Sequence, residues 1–274
     1  MNSVLVTGAS TGIGRATALM LAERGMTVYA GVRNASDESD LAAAAVGDLR
    51  PVRLDVTKPA QVEAAVAAIA GDGGLGALVN NAGVYYGGPL ELTTEREIRA
   101  TFEVNVLGLL LLTRACLPML RESAGRIVNI SSISGLVALP GVSVYAGSKF
   151  AVEAITDSLR TELSAFGIRV IAVEPGSIQT EIWTKGAERD RDRATDRKRL
   201  REIYAPLVRL LEKLNRDPRG IPPERVADVV CKALTDEAPD NRYLVGTDAR
   251  SLAMLRWLPD MIRDGLIRRR VWRD

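Results

Sequence analysis

The feature that most constrains the fold is a regular alternation of short apolar runs, rich in β-branched residues, with longer segments of helical periodicity. Runs of this kind are typical of parallel strands that are buried on both faces of a sheet. Right-handed crossovers through the intervening helices then give a doubly wound α/β sheet, which we expect to form a single domain over residues 1–274. The predicted strands, about seven in all, are 3–8, 26–32, 49–56, 76–83, 125–132, 168–176 and 242–246, and the predicted helices are 13–25, 59–70, 95–121 and 145–167.

Charge and composition exclude several kinds of function. The 36 basic and 34 acidic residues leave a net charge of +2, which gives no reason to expect a nucleic-acid partner. The chain has no histidine, and Cys116 and Cys231 lie far apart, which argues against a metal site and against a disulfide framework. No secretory signal is visible, and the apolar run 106–112 is too short to cross a bilayer. We therefore expect a cytoplasmic protein that acts on a small molecule.

The segment TGASTGIG, residues 7–14, follows the first predicted strand and opens the first predicted helix. Gly8 permits a tight turn, Gly12 lets the backbone approach a ligand closely, and Gly14 lets the helix pack against the sheet. The free amides and the positive end of the helix would then face a pyrophosphate. The alternative is a plain connection between a strand and a helix.

The segment SVYAGSKFAVEA, residues 143–154, places Tyr145 and Lys149 four residues apart on a predicted helix. Residues at that spacing share one helix face. We expect the Lys149 ammonium to favour the phenolate and to lower the pKa of Tyr145 from its ordinary value of about 10. Such a pair can transfer a proton to a carbonyl without histidine. The alternative is an exposed tyrosine beside a solvated lysine.

Several further motifs occur in a fixed order along the chain: NNAG (80–83), Asn105 within FEVNV, two serines (131–132), YAGSK (145–149), and Pro175–Gly176 with Thr180 beyond them. Together with the TGxxxGxG spacing, they resemble the short-chain dehydrogenase/reductase family. The resemblance covers roughly residues 1–182 and is specific as a set. It implies an oxidoreductase that transfers a hydride between a nicotinamide and a carbonyl or secondary alcohol.

The resemblance also implies a role for each matching residue. Tyr145 transfers the proton, Ser132 binds the substrate oxygen, Lys149 also binds the nicotinamide ribose, and Asn105 holds a water next to Lys149. Ser131 is the rival to Ser132, but alternation along a strand lets only one of the two face the site. The predicted cofactor-binding residues are Gly8, Ser10, Thr11, Gly12, Ile13, Gly14, Arg33, Asp55, Val56, Asn81, Ala82, Gly83, Tyr145, Lys149, Pro175, Gly176, Ile178 and Thr180.

The end of the second predicted strand bears on the choice of nicotinamide. An acidic residue there would bind the ribose 2′-hydroxyl of NAD, but the sequence is Ala30-Gly31-Val32-Arg33. Arg33 can instead grip the 2′-phosphate, so NADP(H) is favoured over NAD(H). Thr11 departs from the basic residue often found before the second glycine in NADP users of the family. Asp55 resembles the family's aspartate near the adenine, and the alternative for it is a cap of the following helix.

The segment 177–217 is predicted to act as a lid over the substrate. Tyr85, Leu136, Val137, Ile182 and Trp183 are the predicted substrate-lining residues, and Met254 and Trp257 could join them. Such an apolar lining favours a lipophilic ketone, aldehyde or alcohol, by weak analogy with hydroxysteroid and retinol dehydrogenases. The highly charged run 185–201 is predicted to be a solvated helix or a loop.

Other functions and assemblies stay open. The alternatives are an NAD-preferring alcohol dehydrogenase, a catalytically silent regulator that binds a dinucleotide, and an epimerase or dehydratase. The C-terminal tail 248–274 is predicted to be helical and to pack on the body, with attachment to a membrane surface as the alternative. We expect a homodimer or homotetramer, in which helices 95–121 and 145–167 pack against their copies through Val106, Leu109, Leu110 and Leu112, although core burial would explain that apolar face as well.

Overall fold

A computed structural model describes residues 3–179, 198–215 and 220–272 of the chain. Seven parallel strands form one sheet in the order β3-β2-β1-β4-β5-β6-β7, which confirms the predicted doubly wound architecture. The strands are β1 (Ser3–Thr7), β2 (Thr27–Val32), β3 (Leu49–Arg53), β4 (Ala77–Asn80), β5 (Arg126–Ile130), β6 (Arg169–Pro175) and β7 (Arg242–Val245).

The α-helices among the described residues connect these strands and follow the last of them. They are α1 (Gly12–Glu23), α2 (Ala35–Ala44), α3 (Pro59–Gly71), α4 (Glu95–Phe102), α5 (Leu109–Glu122), α6 (Ser143–Glu162), α7 (Lys198–Ile203), α8 (Ala205–Asn215), α9 (Pro223–Thr235), α10 (Thr247–Ala253) and α11 (Asp260–Trp272). Two hydrophobic layers cover the two faces of the sheet: α1 and α9 pack on one face, and α3 and α5 on the other.

The strand order places a crevice at the carboxyl ends of β1 and β4, near the middle of the sheet. From β1 the chain runs outward to β2 and β3, and then returns to β4 on the other side of β1. The loops that leave β1 and β4 therefore diverge at the carboxyl ends of the strands. Ligands bind at this position in open α/β sheets.

The predicted helix 95–121 begins as expected and then changes its winding. Thr94 and Glu97 form the predicted capping box, in which each side chain bonds the other residue's backbone amide. The segment Glu103–Gly108 between α4 and α5 is π-helical, which the apolar periodicity did not predict. A π-helical turn inserted in an α-helix is frequent at functional sites, and this one carries Asn105.

Three helices, α2, α8 and α9, were missed in the sequence; α8 lies in the segment 177–217, which was predicted only as a lid. Helix α2 is short and mostly exposed, with Leu41 as its buried residue, so it lacks a strong apolar stripe. Helix α9 has such a stripe, formed by Val226, Val230 and Leu234, and it starts at two prolines that are favourable at a helix N-terminus. The apolar stripe and the prolines of α9 were both visible in the sequence. The stripe packs against α1.

The C-terminal tail packs on the body through part of its surface, as predicted. Ile267 and Val271 of α11 contact a cluster that includes Leu207 and Leu211 of α8. Met254 and Trp257, predicted as substrate-lining candidates, are instead largely exposed.

The apolar face predicted to contact a second subunit is largely part of the core. Leu109 and Leu112 are buried inside the chain, so for these two residues core burial explains the apolar face. The outward side chains of this region are Phe102, Leu107, Leu111 and Phe150. The continuous helical stretch Glu95–Glu122 is long and apolar enough to span a membrane, but half of its most apolar window is buried in the fold.

Candidate active site

The glycine-rich turn after β1 has the backbone that its sequence predicts. Gly8 and Gly12 have φ angles of +64° and +56°, a region that residues with a Cβ rarely adopt. A Cβ on Gly14 would lie 2.2 Å from the carbonyl oxygen of Gly8. Gly14 therefore permits the close packing of α1, while the first two glycines shape the turn, as predicted.

A set of hydrogen bonds joins this turn to the loop after β4. The Thr7 hydroxyl accepts hydrogen bonds from the backbone amides of Asn81 and Ala82, both at 2.9 Å. The Asn81 side-chain amide donates to the carbonyl oxygens of Thr7 and Gly8 at 2.9 and 3.2 Å. These bonds fix the two walls of the crevice relative to each other.

One long cleft runs along the carboxyl ends of the strands and contains most of the predicted site. The cleft brings together the glycine-rich turn after β1, the end of β2, the loop after β4, the serines after β5 and the first turns of α6. The predicted residues that line it are Gly8, Ser10, Thr11, Gly12, Ile13, Arg33, Asp55, Val56, Asn81, Ala82, Gly83, Tyr85, Ser132, Tyr145, Lys149, Pro175, Gly176 and Ile178.

Seven predicted residues are not in this group, and two of them, Gly14 and Asn105, lie next to the cleft inside the fold. Thr180, Ile182 and Trp183 are outside the described residues, as is most of the charged run 185–201. Leu136 and Val137 are described but do not line the cleft: Val137 is buried, and Leu136 packs near Ala249 and Ala253. The 3₁₀ turn Ile133–Gly135 follows Ser132 directly, and none of its residues lines the cleft.

Tyr145 lines the cleft and is nearly buried. Its ring meets the ring of Tyr85 edge-to-face, with 5.1 Å between the centroids. Burial raises the pKa of Tyr145 to about 12, and a hydrogen bond with the Ser132 side chain opposes that rise. The prediction that Lys149 lowers this pKa was therefore wrong for the structure as it stands, because the cost of desolvating a phenolate is larger.

Lys149 lies one helical turn beyond Tyr145 and is also buried. Its ammonium nitrogen donates a hydrogen bond to the carbonyl oxygen of Ile130 at 2.8 Å and lies 5.7 Å from the centroid of the Tyr145 ring. Burial lowers the pKa of Lys149 to about 8, and the charge of Glu153 opposes that shift. The predicted shared helix face is confirmed.

The two serines after β5 both line the cleft, contrary to the expectation that only one of them would. Strand alternation does not apply to them because β5 ends at Ile130. Ser132 bonds Tyr145 and also accepts a hydrogen bond from the amide of Ser134 at 3.1 Å. The Ser131 hydroxyl is buried and has no hydrogen-bond partner among the described residues.

Asn105 is buried in the π-helical segment and ties two walls of the site together. Its side-chain oxygen accepts from the amide of Val84 at 2.8 Å, and its side-chain nitrogen donates to the carbonyl of Val84 and to the Ser148 hydroxyl, both at 3.0 Å. Ser148 in turn donates to the carbonyl oxygen of Tyr145 at 2.7 Å. The side chain thus holds α6 next to the loop after β4, and the water predicted beside Lys149 stays a prediction.

The end of the cleft next to β2 and β3 carries Arg33 and Asp55. Arg33 follows directly on β2, in the position where a carboxylate would bind a ribose 2′-hydroxyl. One Asp55 oxygen accepts hydrogen bonds from the amide and hydroxyl of Thr57 at 3.0 and 2.7 Å. Asp55 therefore shapes the turn before α3 and faces the cleft as well.

A buried polar network beneath the site was not predicted. The Asn80 side chain donates to Asn129 and Thr113, and Asn129 donates to Thr156, all at 2.9 Å. These bonds link β4, β5, α5 and α6. The signal was present in the sequence for three of these residues, since Asn80, Thr113 and Asn129 each stand in or at the end of an apolar run.

The cleft suits a nicotinamide dinucleotide. Glycine backbone with positive φ opens the turn, and α1 begins without a side-chain cap on its free amides, so its N-terminus can accept a pyrophosphate. Among the described residues, no group of histidine, cysteine, aspartate and glutamate side chains could hold a metal ion.

Comparison with known proteins gives relatives along nearly the whole chain. The chain is 34% identical to 3-ketodihydrosphingosine reductase of Bacteroides thetaiotaomicron, with 94% of this chain and 93% of the relative covered. It is 34% identical to NADPH-dependent 3-dehydrocapnine reductase of Ornithobacterium rhinotracheale, with 96% and 95% covered. It is 35% identical to retinol dehydrogenase 16 of Mus musculus, with 96% and 87% covered.

Solved structures agree with this relationship. A short-chain dehydrogenase from Streptomyces avermitilis is 33% identical with a TM-score of 0.81, over 98% of this chain and 95% of that one. A short-chain dehydrogenase from Burkholderia cenocepacia in complex with NADP is 30% identical with a TM-score of 0.76, over 99% and 98%. A relative from Burkholderia phymatum in complex with NAD is 27% identical with a TM-score of 0.78, over 93% and 92%.

The family model described as short chain dehydrogenase matches residues 2–191, which include the glycine-rich turn, Ser132, Tyr145 and Lys149. The chain therefore belongs to the short-chain dehydrogenase/reductase family of oxidoreductases.

Proposed function

We propose that this oxidoreductase uses NADP(H) and acts on a lipophilic ketone, aldehyde or secondary alcohol. The observation that carries the substrate class is the apolar cluster packed around Tyr145. It combines Tyr85, Val142, Leu207, Leu211 and Val271, with Leu139, Tyr204, Leu210 and Ile267 at its margin. Tyr85 and Tyr145 line the cleft, and the other members of the cluster pack behind them. This side of the cleft is therefore apolar and offers few partners to the hydroxyl groups of a sugar.

Helices α8 and α11 supply much of this cluster, so the apolar wall comes from the part of the chain beyond the shared nucleotide-binding core. The Tyr204 hydroxyl bonds the Glu91 carboxylate at 3.1 Å, which links the start of α8 to the loop before α4. This arrangement supports the proposed lid function of the segment 177–217. Two relatives named as reductases of 3-ketodihydrosphingosine and of 3-dehydrocapnine, and one named as a retinol dehydrogenase, are compatible with a lipophilic substrate.

The preference for NADP(H) rests on Arg33. Arg33 lines the cleft directly after the end of β2, and the residues before it, Gly31 and Val32, carry no carboxylate. A guanidinium recognises a phosphate through two parallel hydrogen bonds, whereas it gains little from a ribose hydroxyl. Neighbouring structures are known with NADP and with NAD, so the cofactor choice depends on this residue rather than on kinship.

When bound, the nicotinamide supplies or accepts the hydride. The residues of the chain position the substrate and move the proton. Because its pKa is raised, Tyr145 keeps its proton at neutral pH and can donate it to a carbonyl oxygen held by Ser132. The Lys149 ammonium then stabilises the phenolate that is left behind.

The test is steady-state turnover of the purified full-length protein with a substrate panel and both cofactors. We expect consumption of NADPH with 3-ketodihydrosphingosine, or of NADP with retinol, at a higher kcat/KM than with a hydrophilic sugar. Preference for the sugar would overturn the substrate class, and preference for NADH would overturn the cofactor assignment. Absence of turnover with the whole panel would favour the silent regulator.

A further inference from the structure

A cluster of charged side chains is buried behind the acid–base pair, on the side of α6 that faces β6 and β7. Glu153 follows Lys149 by one helical turn and is 6% exposed, and Glu174 of β6 is 1% exposed. Arg242 of β7 binds both carboxylates with one guanidinium nitrogen and binds Asp157 with the other. Buried carboxylates are costly unless they are paired, so an arrangement of this kind calls for an explanation.

The charges in this cluster do not cancel. Besides Lys149, the groups around Glu153 are Asp157 on α6, Glu174 on β6 and Arg242 on β7, and Arg160 is paired with Asp157 at the surface. The 3₁₀ turn Ile133–Gly135, which also packs here, contributes no charge. With both glutamates ionised, Arg242 neutralises only one of them, and one negative charge remains next to Lys149.

Glu153 is the member of the cluster that acts on Lys149. One of its oxygens is buried and accepts no hydrogen bond from any described residue, while the other is bound by Arg242. No ion pair among the described residues joins Glu153 to Lys149, so the interaction acts through space across one turn of α6. At low dielectric such an interaction between buried groups is strong.

We propose that Glu153 is a positioning residue of the acid–base centre, whose carboxylate holds Lys149 in its charged ammonium form beside Tyr145. Arg242 and Glu174 fix Glu153 in place, and they connect the centre to the last strand of the sheet. The electrostatic effect of Glu153 supports this role, because its charge raises the pKa of Lys149 while burial lowers it. Burial and the neighbouring Glu153 also raise the pKa of Glu174, so the negative charge of the cluster grows as pH rises, where Lys149 would otherwise lose its proton.

The proposal predicts a lower pKa for Lys149 when Glu153 is replaced by its neutral isostere. In the free full-length protein, NMR titration of 13C-labelled lysine follows Lys149 directly, and the Lys149→Arg variant assigns its signal. We expect Glu153→Gln to lower the pKa of Lys149 by roughly 1 unit. Asp157→Asn is the matched control, since it removes a carboxylate from the same helix and the same arginine, but one that is half exposed.

An unchanged pKa of Lys149 in Glu153→Gln would overturn the proposal, and so would an equal shift in Asp157→Asn. If Glu153→Gln does not fold, Glu174→Gln provides the second test, with a smaller shift in the same direction expected and no shift contradicting the proposal. The NMR titration does not depend on turnover, so a failure of this proposal can be distinguished from a failure of the proposed function. If that function holds, the basic limb of the pH profile of kcat/KM moves to lower pH in Glu153→Gln and stays in place in Asp157→Asn.

Discussion

The Lys149 ammonium nitrogen lies 5.7 Å from the centre of the Tyr145 ring while it donates a hydrogen bond to the backbone of Ile130. Both side chains are buried, so the site holds a charged donor and a neutral phenol away from water. Burial disfavours the charged form of each group, and it therefore moves their pKa values in opposite directions. The free enzyme maintains Lys149 close to its titration point and Tyr145 far from its own.

Lys149→Met is expected to stabilise the fold at neutral pH while it abolishes activity. The pKa of Lys149 is lowered in the folded state to about 8 from the ordinary value of 10.5, so below pH 8 the wild type bears the full cost of burying the charge. That cost is roughly 3 kcal/mol, less whatever packing and hydrogen bonding the substitution removes. Between pH 8 and 10.5 the unfolded state binds more protons than the folded state, so the stability of the wild type rises with pH.

Urea denaturation of the wild type and of Lys149→Met at pH 7, 9 and 10.5 measures this difference. We expect the advantage of the variant to shrink as pH increases. An advantage that stays constant over this range would show that Lys149 does not titrate with a lowered pKa.

Tyr145→Phe is expected to reduce kcat by about 10²-fold to 10⁴-fold, the range attributable to a positioned proton donor. Because the ring and its contact with Tyr85 remain, the affinity for NADPH should change little. Fluorescence titration of NADPH and steady-state assays measure the two effects separately. Tyr243→Phe is the control, since that hydroxyl accepts a hydrogen bond from the amide of Asp240 and its residue does not line the cleft. Normal turnover in Tyr145→Phe would remove Tyr145 from the proposed mechanism.

Gly14→Ala should destabilise the protein strongly, whereas Gly265→Ala should not. The added Cβ at position 14 would lie 2.2 Å from the Gly8 carbonyl oxygen and 2.4 Å from the Asn81 side chain, so α1 would have to move away from the turn. We expect the free energy of unfolding of Gly14→Ala to fall by roughly 3 kcal/mol or more. Gly265 is also helical, but no atom beyond its chain neighbours and its own helix backbone lies within 4 Å of the position that a Cβ would take there. Alanine at this position should therefore raise the free energy of unfolding by about 0.5–1 kcal/mol. Thermal and urea denaturation compare the two, and equal effects would contradict the packing role of Gly14.

The sequence predicts the sheet and the chemistry of the cleft more completely than the local electrostatics. Parallel strands carry a clear signal because burial on both faces requires an almost wholly apolar run. The positions of Gly8, Gly12 and Gly14 indicate where the backbone must turn tightly or pack closely. The pKa of Tyr145 could not be inferred from its spacing to Lys149. Its direction depends on burial beneath Tyr85 and the residues of α8 and α11, which lie far away in the sequence.

The roles of Asn105 and Glu153 show the same limit. An asparagine in an apolar helix signals a buried polar contact, but its partners, Val84 and Ser148, come from a loop and from another helix. Glu153 reads as an exposed position on an amphipathic helix until Glu174 and Arg242 are brought beside it by β6 and β7. Such contacts between distant segments depend on the whole topology, and no local pattern encodes them.

Arg33→Ala is expected to lower kcat/KM for NADPH by about 10-fold to 100-fold and to leave kcat/KM for NADH nearly unchanged, because a hydrogen-bonded pair with a phosphate would be lost only for NADPH. Arg50→Ala is the matched control: that arginine is on the adjacent strand and carries the same charge, but it is paired with Asp48 and Asp72 and does not line the cleft. Steady-state assays of both variants with both cofactors separate a specific contact from a general change in surface charge. A parallel loss for NADPH and NADH in Arg33→Ala, or an equal loss for NADPH in Arg50→Ala, would mean that Arg33 does not recognise the 2′-phosphate.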